Sequence, residues 1–393
     1  MVYNKIIKIE GDVYMENRKY GLTNITMEFG GRTLYRIIAL KNFADVKAGD
    51  LGGWVSNKDN LSQEGDCWIY NEAKCLDDSR IYDNGAMYDS SIMFDNSEMH
   101  GDCIMFDNSK MHDNSKIIGN CRMYNDSEMF DSSEMHDSSE MHDSSEMYDD
   151  SRMFDNSKMY GNSKMCDDSM KFEYSTMHDH SIMFGYSETY NDSEMFGHSI
   201  MCGNSMLFGH SKMYDNSKMY NNSMMCGSSV MCDNSKMCDD SMMCGNSKMF
   251  GNSMMYGHSK MHGNSMMSGN SKMYDDSKMC DNSAMFGNSA MFENSVMRDY
   301  STMRDNSTMY GNSELKNRER LYGTLASKVD KFINIDTLEG EMVTGVLKDG
   351  KILYNVGSQS EINKEEFLDK IYNEYETAEE YLKIIDMIEL YLR

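Results

Sequence analysis

At 393 residues, with 45 Met, 29 Gly, no Pro and a formal net charge of −26, the chain lies far from average soluble-protein usage. The charge is concentrated: residues 1–64 carry +1, residues 315–393 carry −5 and the middle carries −22, a surface that repels nucleic acid and anionic membrane unless it imitates them. No run approaches the roughly 18 apolar residues of a spanning helix, the charged first twenty residues lack a signal-peptide core, and 11 scattered Cys do not read as a disulfide framework, so a reducing cytoplasm is the expected location.

Residues 1–64 are not repetitive. Lys5–Val13 and Thr33–Leu40 mix β-branched and aromatic residues with polar ones, as half-buried strands do, and Gly30, Gly31, Gly49, Gly52 and Gly53 punctuate them as turns. A small β-rich capping unit over 1–64 is expected. Trp54 and Trp68, the only tryptophans, flank its junction with the repetitive segment and are expected to pack over the open end of that segment.

From Ile69 to Leu315 a six-residue beat never slips. Of 42 slots at positions 69, 75, 81 and onward, 34 hold Met. Four residues later Ser fills 37 of 41 slots, with Ala73, Gly85, Cys103 and Cys121 as small exceptions. A pair drawn mostly from Asp, Gly and Asn lies between them. A helix cannot use this pattern, because six residues at about 100° each turn successive Met about 240° apart. A short strand, a corner and another short strand can. Met points inward, its neighbours point outward, and Ser tucks inward beside a corner whose residues tolerate left-handed backbone. Three such sides close a coil of eighteen residues. Between 13 and 14 coils at about 4.8 Å give a rod of about 65 Å. The Ser slots are expected to form hydrogen-bonded ladders along the axis.

The large-x-x-x-small-x hexad resembles the repeat of left-handed parallel β-helices. Asp45-Val-Lys-Ala-Gly-Asp-Leu-Gly-Gly-Trp-Val55 and Leu61-Ser-Gln-Glu-Gly-Asp-Cys-Trp-Ile-Tyr70 are similar to the opening segment of the bacterial YdcK family and of phage and prophage proteins with tandem hexapeptide repeats. The resemblance covers roughly residues 33–73 at its most specific and, through the hexad, extends to residue 315. It implies an all-β fold, a single-stranded left-handed parallel β-helix. Through the likeness of that fold to hexapeptide acyltransferases, it also implies a transferase activity.

The domain reading is therefore a capping unit at 1–64, a β-solenoid at 65–315 and an α+β cap or partner module at 316–393. In the last, Lys331–Asp336, Glu341–Leu347 and Lys351–Val356 read as strands, the final two joined at Lys348-Asp-Gly350. Asn363-Lys-Glu-Glu366 and Thr377-Ala-Glu-Glu380 read as helix caps. Phe367, Leu368, Ile371 and Tyr375 make one apolar face; Tyr381, Leu382, Ile385, Ile388 and Leu392 make another. Solenoid ends need covering, because an open terminal coil exposes unpaired strand edges.

An acyltransferase needs a histidine base with an orienting partner, and a pocket. His100, His112, His136, His142, His178 and His262 follow the core residue, whereas His180, His198, His210 and His258 take a corner slot. None is privileged, and the unbroken beat leaves no inserted loop to shape a donor pocket. Cys166, Cys202, Cys226, Cys232, Cys238, Cys244 and Cys280 share the outward slot. With eighteen residues per coil Cys226 stacks on Cys244, while Cys232 and Cys238 fall on the other two faces. The run lacks the close Cys pair of structural zinc sites. No catalytic, cofactor-binding or metal-binding residue is assigned, and no cofactor is expected.

Lys171 and Thr189 break the inward rule one coil apart. A bulge that hands the core position to Met170 is the expected resolution, since a buried Lys is costly. Tyr, Phe, His and Cys in the outward slot should form columns down all three faces, the kind of surface that marks association. The expected function is a non-enzymatic, phage-related scaffold or binding protein that self-associates or holds a protein partner, with no direct nucleic-acid or membrane contact. The alternatives are an acyltransferase and an acidic rod that mimics nucleic acid.

Overall fold

A computed structural model describes residues 18–316, 320–321, 324–325, 329–336, 342–348, 350–356, 359–374 and 378–392. The expected strand Lys5–Val13 and the residues Glu341, Asp349, Tyr375 and Thr377 lie outside them. The chain divides into two compact units, Met1–Asn204 and Ser205–Arg393.

The first unit opens with β1 (Tyr20–Phe29) and β2 (Arg32–Ala39) as an antiparallel pair joined at Gly30 and Gly31. The expected strand Thr33–Leu40 corresponds to β2, whereas β1 has no counterpart among the strands expected from the sequence. β3 (Leu51–Val55) pairs antiparallel with β2 on one edge and parallel with Lys74–Cys75 on the other. It thus converts hairpin pairing into solenoid pairing. Gly52 and Gly53 are not turn residues, as their type suggested, but lie inside this strand. A Cβ at Gly52 would sit 2.6 Å from both Ile37 and Trp68, and one at Gly53 would sit 2.3 Å from Ile69. Only glycine admits so close a layer. Trp54 and Trp68 are buried there, Trp68 against the edges of Tyr20 and Phe43.

Beyond this point each hexad forms a short rung, two residues long except at Glu98–Gly101, Lys116–Gly119 and Glu134–Asp137, that pairs in parallel with the rung eighteen residues later. Two further parallel rungs, Arg320–Leu321 and Thr324–Leu325, carry the solenoid past the expected end at residue 315, the second pairing with Thr308–Met309 sixteen residues back. Met105 pairs with Met123, Met129 with Met147 and Met135 with Met153, one example from each of three faces. The second unit repeats the rule, with Met225 on Met243, Met231 on Met249 and Met237 on Met255. These methionines are fully buried. The first corner residue takes positive φ, as at Asp107 (59°) and Asn125 (57°). Asx side chains accept that backbone at lower cost than other non-glycine residues. Corner carboxylates also accept amides one coil on: Gly101 N–H donates to Asp83 Oδ2 at 2.9 Å, and Gly251 N–H to Asp233 Oδ2 at 2.8 Å. Much of the acidity at the corners therefore serves the backbone.

The expected serine ladder does not form. Most inward Ser hydroxyls are buried without a side-chain hydrogen-bond partner; a few, such as Ser97 and Ser211, donate to the carbonyl three residues back. The reason is distance. In-register stacking separates like atoms by about 4.8 Å, beyond the reach of an O–H···O bond. A carboxamide spans the gap, and the ladder is one of asparagines at the corners instead. Asn252 donates to Asn270 at 3.1 Å, Asn270 to Asn288 at 2.9 Å and Asn288 to Asn306 at 3.2 Å.

The expected bulge at Lys171 is also absent. Lys171 itself takes the core position, fully buried and in register with Met153 and Thr189, while Met170 stays half-exposed. Register wins because a one-residue slip would turn the whole rung inside out.

At the C-terminal end β4 (Val329–Asp336), β5 (Met342–Lys348), β6 (Lys351–Val356) and β7 (Gln359–Ile362) form an antiparallel meander. Helices α1 (Lys364–Glu374) and α2 (Ala378–Leu392) pack on it. Phe367, Ile371, Tyr381, Ile385, Ile388 and Leu392 are buried with Val343, Tyr354 and Val356. The cap at Asn363 is reciprocal: Glu366 N–H donates to Asn363 Oδ1 at 3.0 Å, and Asn363 N–H to Glu366 Oε2 at 2.9 Å, which is a capping box.

Candidate functional site

The outward slots are where the repeat varies. The residue after most core methionines leaves the rung half-buried, and the eighteen-residue register sets like positions one above another. On one face of the first unit Tyr70, Tyr88, Phe106, Tyr124, His142, Tyr160, His178 and Phe196 form one continuous stack, with neighbouring centroids 4.4 to 5.2 Å apart. A second face carries Phe94 on His112 and Phe130 on Tyr148. The third carries His136, Phe154, Phe172 and Tyr190. In the second unit Tyr256, Tyr274, Phe292 and Tyr310 stack in the same way. Offset stacking of this kind adds about 0.5–1.5 kcal/mol per pair beyond burial, so the columns stiffen the coils they decorate.

Several of these histidines have carboxylate partners. Nε2 of His136 lies 3.1 Å from Glu134 Oε2, and Nε2 of His142 lies 3.0 Å from Glu140 Oε2. Lys158 Nζ also meets Glu140, at 2.9 Å, which together with His142 holds that carboxyl below the usual range against the effect of burial. The pairing looks like a base and its orienter, but the ring faces are covered. His142 is sandwiched between Tyr124 and Tyr160. A substrate has no approach to that ring except at its edge. Burial lowers the pKa of His178, with Lys171 adding to the effect.

Asp95, His112 and Asp113 bring three metal-capable atoms within 4.8 Å of one another, a cluster not expected from the sequence. His112 Nδ1 is already engaged by Asp113 Oδ2 at 2.7 Å, so the group reads as a hydrogen-bonded His–Asp pair beside a corner. An open groove of about 650 Å³ in the second unit is lined by His210, Lys212, Lys248, Asn264 and Met266 among others. Another, of about 340 Å³, runs between β6, α1 and α2.

Two buried lysines contrast. Lys19 donates to the carbonyls of Glu64, Gly65 and Cys67 at 2.9 to 3.2 Å and contacts Cys67 Sγ at 3.0 Å. Lys171 has one contact, the Lys158 carbonyl at 2.8 Å, and burial alone drives its pKa well below the ordinary lysine value. Thr189, one coil on, turns its hydroxyl to Ser175 Oγ at 3.2 Å.

The expected stacking of Cys226 on Cys244 is found, whereas the disulfide between them was not expected. Cys226 and Cys244 stack, with Cα atoms 4.7 Å apart, and are joined as a disulfide. Cys232 and Cys238 follow the rungs Val230–Met231 and Lys236–Met237, which pair within the other two faces. No helix among the described residues is long and apolar enough to cross a membrane.

No protein-family profile matches the chain. A segment of 39 residues is 51% identical to the "Uncharacterized acetyltransferase YdcK" of Escherichia coli (strain K12), covering 10% of this chain and 12% of that protein. The chain resembles YdcK over that short segment, and its parallel β-solenoid is the architecture of hexapeptide-repeat proteins.

Proposed function

We propose that the chain is a non-enzymatic β-solenoid scaffold, phage- or prophage-related and cytoplasmic, that binds a protein partner or further copies of itself along its aromatic and acidic faces. The eight-ring column from Tyr70 to Phe196 carries this reading. It is a continuous, half-buried strip with carboxylates beside it, suited to an extended partner and not to a small molecule. The C-terminal meander and helices complete the reading as an end module. Solution mass and small-angle scattering of the wild type and of a Tyr88→Ser/Tyr124→Ser/Tyr160→Ser variant test it. Wild-type lateral assemblies that dissolve in the variant are expected. A wild type that stays monomeric at every concentration and retains no partner from a host lysate would overturn it.

The 39-residue likeness to a protein named as an acetyltransferase favours a second reading, acyl transfer. Its base would be drawn from the His–Glu pairs at His136 and His142. Release of free coenzyme A from acetyl-coenzyme A in the presence of amine or hydroxyl acceptors, lost in His142→Asn, would establish it and displace the scaffold reading.

A further inference from the structure

The face built from the rungs Met206–Leu207, Met224–Met225, Met242–Met243, Lys260–Met261 and Lys278–Met279 differs from the others. Each rung has an outward residue before its buried one, and register stacks these as Met206, Met224, Met242, Lys260 and Lys278. The residue after the buried one is also outward. There the same register sets Cys226, Cys244, His262 and Cys280 on four successive coils, all half-buried. The other outward cysteines have no such company: Cys166, Cys202, Cys232 and Cys238 have an aromatic residue eighteen positions away on either side. Thiols, thioethers and an imidazole are thus gathered on one face.

We propose that this face, with Cys226 and Cys244 reduced, binds the soft monovalent ion Cu(I) between the two thiolates, with the Met224 and Met242 thioethers beside them. His262 and Cys280 continue the site along the column. Two metal–sulfur bonds of about 2.3 Å end to end span about 4.6 Å, close to the strand spacing of about 4.8 Å. An ion held linearly between adjacent coils therefore requires no backbone movement. A tetrahedral zinc site needs four ligands drawn from Cys, His and carboxylates around one point, whereas this site brings two such groups, its other donors being thioethers. Thiolate together with thioether is also the donor set that selects Cu(I).

The charges balance. Two thiols lose two protons, and the bis-thiolate with one Cu(I) carries a single negative charge, which Lys260 and Lys278 are placed to offset. The disulfide is the alternative state of the same pair. Two equivalents of an external thiol supply the two electrons and two protons that open it, and are joined to each other as a disulfide.

The test uses the full chain, reduced with a phosphine, freed of excess reductant under anaerobic conditions, and titrated against the coloured Cu(I)–bicinchoninate complex. The wild type is expected to strip copper from the chelator. Cys226→Ser/Cys244→Ser should bind at least tenfold more weakly, Met224→Leu/Met242→Leu several-fold more weakly, and Cys232→Ser, on another face, like the wild type. Circular dichroism and melting of each variant against the reduced wild type separate loss of ligand from loss of fold. The proposal is overturned if the wild type fails to compete, if the folded double-serine variant competes equally well, or if zinc is taken in preference to copper.

Discussion

Lys171 Nζ lies 2.8 Å from the carbonyl oxygen of Lys158, inside a core lined almost wholly by methionine. One hydrogen bond leaves two donor positions of an ammonium unmet, and burial answers by favouring the neutral amine. Replacing it with the residue of its neighbours, Lys171→Met, should raise stability by about 1–3 kcal/mol, read as a higher urea midpoint. A lower midpoint would mean that Lys171 supports its coil.

The same residue sets a pH dependence. Its folded value lies well below the unfolded lysine value of 10.5, so between those two points the unfolded chain holds one more proton than the folded chain. Stability therefore rises with pH across that window, and the contribution is flat below it. The gap between Lys171→Met and wild type should narrow as pH is raised towards 10.5, with a slope approaching about 1.4 kcal/mol per pH unit. Urea titrations from neutral to alkaline pH measure it. A constant gap would place a charged ammonium in the core.

Corners offer an opposite pair of substitutions. Glu173 holds φ at 59° where Asp, Asn or Gly usually sits, and Glu173→Asn should add about 0.5–1 kcal/mol by removing part of the left-handed penalty. Gly251, at φ 68°, would carry a Cβ 2.8 Å from the Gly269 carbonyl oxygen. Gly251→Val combines that clash with a β-branched residue in left-handed backbone and should cost more than about 2 kcal/mol. Thermal melts of the two variants should move in opposite directions.

The asparagine ladder predicts a small, local effect. Asn270→Ala removes two exposed amide bonds, to Asn252 and Asn288, and should cost about 1 kcal/mol. Faster amide hydrogen exchange should be confined to neighbouring coils.

At the C-terminal module Asn363→Ala should destabilise by about 1 kcal/mol, and Asn363→Ser should restore most of it. No loss on Asn363→Ala would mean that the side-chain bond to Glu366 N–H adds nothing.

The solenoid could be read from the sequence because its period excludes other solutions: a core residue every sixth position with a small partner four on fits neither helix nor flat strand. The capping box at Asn363 and the turn at Gly350 were readable for the same local reason. What escaped depends on distances that only stacking sets. Serine looks like a ladder former until the coil spacing is weighed against the reach of a hydroxyl. Desolvation cost points Lys171 towards a bulge, but the cost of breaking register in every neighbouring coil is larger. β1 carries its alternation weakly, and Gly52 and Gly53 have the composition of a turn while serving as a thin layer under Trp68 and Ile69. The cysteine column was half-visible. Counting by six shows a run that points three ways, whereas counting by eighteen joins Cys226 and Cys244 to His262 and Cys280.

The constant eighteen-residue register also bears on how such a gene changes. Removing or duplicating eighteen consecutive codons anywhere within the repeat returns every later side chain to the face it occupied before. Misaligned recombination between near-identical hexads can therefore lengthen or shorten the protein by whole coils. A single hexad gained or lost moves every later column to another face, and a change out of step with the hexad turns part of the core outward. Length becomes a heritable variable that changes in discrete steps, while the two ends stay the same.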